Sequence, residues 1–324
     1  MRRQFVGETA RALAGRSSAI RSLVGLLVTF GSYGSRRRRV QRPTDVRPEA
    51  ETVSVPARTA HEAPVVPAPQ PEPAPTPAAD RRGLIRLVGQ CSIEGRNRTA
   101  GGWGTDTWAL LGLLAEHRSS LLTKGAACDK LWPEAETPHD RFAGLLKATR
   151  AKMCEALGMP GNYGRIVIQF MGSTGYRINP DLYTCDVWQI RDLLAAAARA
   201  KGPEKAAALI AAADLYTGPF LPGVELGWAR GAADSLNRAV VQALAQLADL
   251  EEQPEAEVAY LERATELDGV AEHLYRRRME VYGHLGRPQA IHYCYDEVLE
   301  RLRTRARRPS PQTEQLYRRL TDFG

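Results

Sequence analysis

The chain has 324 residues, long enough for two domains, and its composition of 44% hydrophobic and 25% charged residues excludes a wholly disordered protein. Its net charge of +7 is uneven: residues 1–80 hold 12 basic and 7 acidic side chains, residues 81–180 hold 14 and 8, and residues 181–324 hold 18 and 22. A basic middle beside an acidic C-terminal part favours a polyanion as the partner of the middle.

Met1–Phe30 contains five arginines and one short apolar run, Leu23–Phe30. That run falls well short of the roughly 20 apolar residues a membrane helix needs. No small-residue cleavage motif precedes Arg36–Arg39, which argues against a signal peptide. Residues 1–40 therefore read as a basic tail, with contact to an anionic membrane as the alternative. Residues 41–80, in which proline alternates with small residues from Pro64 to Pro77, read as a disordered, semi-rigid linker.

Order is expected from residue 81 onward. Leu84–Val88 and Cys91–Ile93 read as short strands. After the glycine-rich Ala100–Gly104, Thr105 or Asp106 caps a helix carrying Trp108, Leu110, Leu111, Leu113 and Leu114. Thr123 caps a second helix, which stops at Trp132-Pro133 because a residue before proline leaves the α region. A third starts at His139 or Asp140. Its apolar positions, Phe142, Leu145, Leu146, Thr149, Met153, Ala156 and Leu157, follow steps of three and four, and Gly158 ends it. Arg165–Phe170 and Tyr176–Ile178 read as a hairpin turning at Gly172–Gly175. This order predicts an α+β winged helix over residues 81–180, with the third helix as recognition helix and the hairpin as wing.

From Asp186 the pattern is purely helical, with segments at 186–200, 203–216, 226–251, 255–267, 271–285, 288–305 and 311–322. The rhythm Tyr282…Gly286…Ala290…Tyr295 matches a tetratricopeptide repeat, in which glycine ends one helix and alanine lets the next approach closely. Residues 181–324 are thus predicted to be an all-α, TPR-like repeat domain.

The polar face of the third helix carries Arg141, Lys147, Arg150 and Lys152, with Arg141 placed two turns before Arg150 on a neighbouring line. DNA phosphates attract cations, and an inserted helix reads base edges in the major groove. Lys147 and Arg150 are accordingly assigned to bases, and Arg141 and Lys152 to phosphate. Arg165 and Arg177 are assigned to the wing, with a structural role inside the strand as the alternative for Arg177, and Lys124, at the start of the second helix, to a further phosphate. Trp132 reads as a core plug, and Arg276–Arg278 and Arg303–Arg308 as solvated faces. Cys91, Cys128, Cys154, Cys185 and Cys294 form no C-x-x-C pair and read as reduced, mostly buried thiols. The chain has no Walker loop, no dinucleotide fingerprint, no H-E-x-x-H and no G-x-S-x-G, so neither an enzyme nor a cofactor is expected.

Five stretches carry a resemblance to a known family. They are Leu131-Trp132-Pro133, Gly175-Tyr176-Arg177-Ile178, Cys185-Asp186-Val187-Trp188, Ala212–Pro222 and Gly286–Ile291. In this order and spacing the chain resembles the SARP-type bacterial transcriptional regulators over about residues 84–322. These join a winged helix to a bacterial transcriptional activator domain. The resemblance implies binding to double-stranded promoter DNA, activation by recruiting RNA polymerase, and a helical domain serving dimerisation or regulation, in a cytoplasmic protein. It also implies that the acidic loop Glu134–Pro138 meets polymerase. Relatives carry an arginine-rich Ser-Arg-Leu-Arg-Arg in the recognition helix, where this chain has Lys147-Ala148-Thr149-Arg150-Ala151. A protein-interaction scaffold with a degenerate winged helix is the competing reading.

Overall fold

The structure, a computed structural model, describes residues 82–95, 103–172 and 174–322, within the compact unit Arg81–Gly324. The basic tail, the Leu23–Phe30 run, the proline-rich linker and most of the Ala100–Gly104 loop lie outside the described residues. Strand β1 (Gly83–Arg86) pairs antiparallel with β2 (Ser92–Glu94), with Ile85 opposite Ile93. On its other side β1 pairs parallel with β5 (Tyr183–Cys185), with Ile85 opposite Cys185. The sequence did not point to β5, because three residues are too few to show an alternation.

Helix α1 (Thr105–Glu116) buries an unbroken run from Ala109 to Ala115. Neither Thr105 nor Asp106 caps it: Gly104 stands at the N-cap and no side chain closes the turn. Asp106 is engaged instead by the Trp132 indole N–H at 3.1 Å and by Arg141 at 2.7 Å. Helix α2 (Lys124–Leu131) is capped as expected, the Thr123 hydroxyl accepting from the Ala126 amide at 3.1 Å. Trp132 follows it, 8% exposed and packed as a plug. Helix α3 (Pro138–Ala156) begins with proline in its first turn, where the missing N–H costs nothing. Its predicted apolar stripe is buried at Phe142, Leu146, Thr149, Met153 and Ala156.

A further element differs from expectation. Arg165–Val167 is not strand: a 3-10 turn (Gly161–Tyr163) runs into one helical turn (Gly164–Val167), and β3 starts only at Ile168 (Ile168–Met171). β-branched residues suit a strand, but here the chain must fold back under α3. At Gly164 a Cβ would sit 2.8 Å from the Arg150 Cβ, so only glycine permits the approach. β3 pairs antiparallel with β4 (Gly175–Ile178), and Leu122 adds a bridge to Tyr176.

Among the described residues seven further helices follow, α4 (Asp186–Arg199), α5 (Gly202–Leu215), α6 (Gly227–Leu250), α7 (Pro254–Leu267), α8 (Glu272–His284), α9 (Pro288–Arg303) and α10 (Pro311–Thr321). Short turns make α4–α5, α6–α7 and α8–α9 antiparallel hairpins, each packing on the next. The Arg276–Arg278 run is not a solvated face. Arg278 is buried, held by Glu297 at 2.9 Å, by the Thr265 hydroxyl at 3.1 Å and by Glu262 at 3.6 Å. Arg277 pairs with Glu257 and Asp249. At 100° per residue, three consecutive arginines span more than half the circumference, so one must point inward.

Glu272 ties two helix starts together. Its carboxylate accepts from the Ser310 amide at 2.8 Å and from the Ser310 and Thr313 hydroxyls at 2.7 Å each. Burial works against the charge, but these donors outweigh it and hold the carboxyl below its usual value. A folded value below the unfolded one gives stability that is present above the unfolded value and lost as pH falls through the folded one. Glu272→Ala is therefore expected to cost about 1 kcal/mol in urea unfolding at pH 7. The gap from wild type should close below about pH 4. A pH-independent gap would contradict the assignment.

The two halves share one core, and their junction is built from polar bonds in apolar surroundings. Buried Asp186 accepts from Leu87 N (2.9 Å), Val88 N (3.0 Å) and Val187 N (2.7 Å). The Trp188 indole N–H donates to the Ala115 carbonyl at 2.8 Å. Arg191 pairs with Glu116, and Arg118 pairs with Asp192 while lying over the Trp188 ring. The loop after α5 bridges back as Val88 pairs with Phe220. There Leu221 adopts φ 49°, and its side chain fills the space a Cβ on Gly112 would need.

Candidate nucleic-acid interface

Four cations converge on one concavity of about 390 Å³. Lys124 reaches it from the start of α2, Lys147 and Arg150 from α3, and Arg165 from the helical turn. Phe142, Leu146 and Tyr176 line it from the apolar side, and among the described residues no carboxylate lines it. Lys124, Lys147 and Arg165 are exposed, and among the described residues none of them forms an ion pair. Such a concavity holds an uncompensated positive potential at its mouth.

Arg150 differs from the other three. Its guanidinium donates twice to the Ile168 carbonyl, at 2.6 and 3.1 Å, and sits 5.9 Å from the Tyr176 ring. Burial above all lowers it from its usual value, and nearby Arg165 adds to the effect against the opposing pull of Tyr176. Arginine nonetheless keeps its charge. The bonds satisfy the first carbonyl of β3, so Arg150 braces the hairpin against α3 and lends the concavity its charge from behind.

Arg141 and Lys152 stand elsewhere. Arg141 is nine residues before Arg150, two and a half turns rather than two, so it emerges on the far side of α3. There it pairs with Asp106 and lies 4.5 Å above the Trp132 ring. Lys152 lies 5.0 Å over the Trp103 ring, which stacks on Trp108. Arg177 does not join the concavity either. It donates to the Gln169 side chain at 3.0 Å on the face of the hairpin opposite Tyr176. Arg165 reaches the concavity from the helical turn rather than from the wing strand.

Sequence reasoning passed over an apolar ridge beside these cations. Tyr163, Ile166 and Phe170 are exposed at 44%, 42% and 52%. Phe170 is held by Tyr176 (4.9 Å between ring centroids), which is held by Phe142 (5.4 Å). The solvent face of α3 is otherwise small, with Ala143, Gly144, Ala148 and Ala151 exposed around Lys147 and with Asp140 and Glu155 near its two ends. In the loop between α2 and α3, Glu134 and Glu136 are exposed.

Comparison with known proteins adds the following. The family model described as bacterial transcriptional activator domain matches residues 185–321. The match agrees with the SARP-type resemblance over those residues. The matched stretch starts at Cys185, one residue before the buried Asp186 that accepts from the β1 end of the chain. No curated protein matches the sequence. The fold is similar to that of Mycobacterium tuberculosis EmbR, solved in complex with a low affinity phosphopeptide, with a TM-score of 0.56 and 22% identity over 75% of this chain. The present chain spans 65% of the EmbR chain.

Proposed function

We propose that the chain is a cytoplasmic transcription activator that binds double-stranded promoter DNA through residues 81–180, read as a winged helix, and meets RNA polymerase through the Glu134–Pro138 loop. The observation that carries this reading is the concavity where Lys124, Lys147, Arg150 and Arg165 converge without a carboxylate. Phosphate is the anion such a site takes from a duplex, since cations released from DNA on binding drive association. Lys147, exposed on α3 and lining the concavity, is placed to reach base edges. Lys124 and Arg165 flank it as phosphate contacts. The ridge of Tyr163, Ile166 and Phe170 fits the deoxyribose surface beside those phosphates. Arg141, Lys152 and Arg177 are assigned to bracing the domain.

One observation favours the scaffold reading. The alanines and glycine of the α3 solvent face offer few base-reading groups, and Asp140 and Glu155 weaken the field at its ends. Retention of pooled genomic fragments on the full chain at two salt concentrations separates the two readings. The regulator is expected to enrich a repeated motif that survives the higher salt and is lost in Lys147→Ala. Sequence-blind retention that vanishes with salt would leave the scaffold.

A further inference from the structure

The activator domain carries one strong inversion of its own charge. Residues 181–324 are net acidic, yet Arg301, Arg303, Arg305, Arg307 and Arg308 fall within eight residues at the end of α9, with Glu300 as the adjoining carboxylate. All five arginines are exposed. Arg303 reaches Glu300 only at 3.8 Å, and among the described residues Arg305, Arg307 and Arg308 form no ion pair. The segment is fixed in shape. The Arg307 amide donates to the Leu302 carbonyl and the Ala306 amide to the Arg303 carbonyl, both at 2.9 Å, while Ala306 takes φ 52°. This is a Schellman closure with alanine in the position that usually takes glycine. The guanidinium groups are therefore displayed from a defined turn rather than from a free tail.

We infer that this arginine turn is a second contact for the phosphodiester backbone of the DNA bound through α3. The inference rests on the proposed DNA-binding function. The chemistry selects a polyelectrolyte over a protein surface. Protein interfaces enrich arginine but surround it with an apolar core, and residues 303–308 offer only the methyl groups of Thr304 and Ala306 towards one. Planar guanidinium forks match phosphate oxygens two at a time. The junction at Asp186 and Trp188 also matters. It bonds the activator domain to β1 and α1, so a second contact forms without first ordering a loose domain. Phosphates carry no base identity, so the turn adds affinity and leaves sequence choice to α3.

The test uses the full chain, a duplex carrying the motif enriched from genomic fragments, and fluorescence anisotropy over a range of salt. Each lost phosphate contact lowers the slope of log K against log salt by about 0.9, so Arg305→Ala/Arg307→Ala/Arg308→Ala is expected to lower it by about 2 to 3 and weaken binding on the order of 10- to 100-fold, with the preferred sequence unchanged. Wild-type slope and affinity in this variant would overturn the inference while leaving the α3 reading intact. Absence of DNA binding by the wild type would overturn both. If the variant binds DNA as wild type does but loses a concentration-dependent mass in sedimentation, the turn serves a protein surface and the inference falls.

Discussion

Asp186→Ala is expected to be the most destabilising single substitution in the chain, at about 4 kcal/mol, or roughly 10 °C in Tm. The carboxylate accepts from the amides of Leu87, Val88 and Val187 at 2.7–3.0 Å, all in the buried seam between β1 and α4. Alanine would orphan three buried N–H groups at once, and a hydrogen bond to a charged acceptor is worth about 1.5–3 kcal/mol. Asp186→Asn should cost about half as much, because one oxygen survives while the new amide hydrogens face the amides. Burial raises the carboxyl from its usual value although the Val88, Leu87 and Val187 amides pull it down. A folded value above the unfolded one means that folding takes up a proton between the two. Wild-type stability should then rise relative to Asp186→Asn as pH falls through that window. Urea unfolding of both variants tests this. A loss under about 1 kcal/mol for Asp186→Ala would show that the seam is held by packing alone.

The second large effect is on binding. Lys124→Ala/Lys147→Ala/Arg165→Ala removes the three cations of the concavity that make no internal ion pair, so the fold should be untouched and thermal unfolding unchanged. Three phosphate-facing charges correspond to a fall of about 3 in the salt slope and an affinity loss on the order of 100-fold or more. Arg150→Ala should behave in the opposite way. It strips the Ile168 carbonyl of its donor and should cost about 1–2 kcal/mol of stability, with a smaller change in slope. An unchanged salt slope in the triple variant would remove the concavity from the DNA interface, whatever its effect on stability.

Much of the architecture was legible because it depends on local periodicity. Steps of three and four among Phe142, Leu146, Thr149 and Met153 mark a buried helix face whatever it packs against. Thr123 marks a helix start through the chemistry of unsatisfied backbone amides, and the third helix starts at Pro138, a residue or two before the expected His139 or Asp140. The helices from Asp186 onward fall within a residue or two of their expected bounds for the same reason. Three of the five motif stretches that carried the resemblance lie within residues 185–321, where the family model matches. What periodicity does not encode is which partner a charged side chain meets. Arg141, Lys147, Arg150 and Lys152 are alike as residues on one polar helix. Asp106, the Ile168 carbonyl and the Trp103 ring claim three of them, and Lys147 stays exposed without an ion pair. Arg278, third in a run that reads as solvated, becomes the buried centre of a network because α7 and α9 bring Glu262 and Glu297 to it. The strand β5, the helical turn at Gly164–Val167 and the seam at Asp186 share that origin. Local propensity set the helices, the Thr123 cap and the apolar stripe, whereas pairing with groups 18 to 49 residues away decided which cations of α3 remain available to a ligand. Only the packed structure brings those groups within hydrogen-bonding distance.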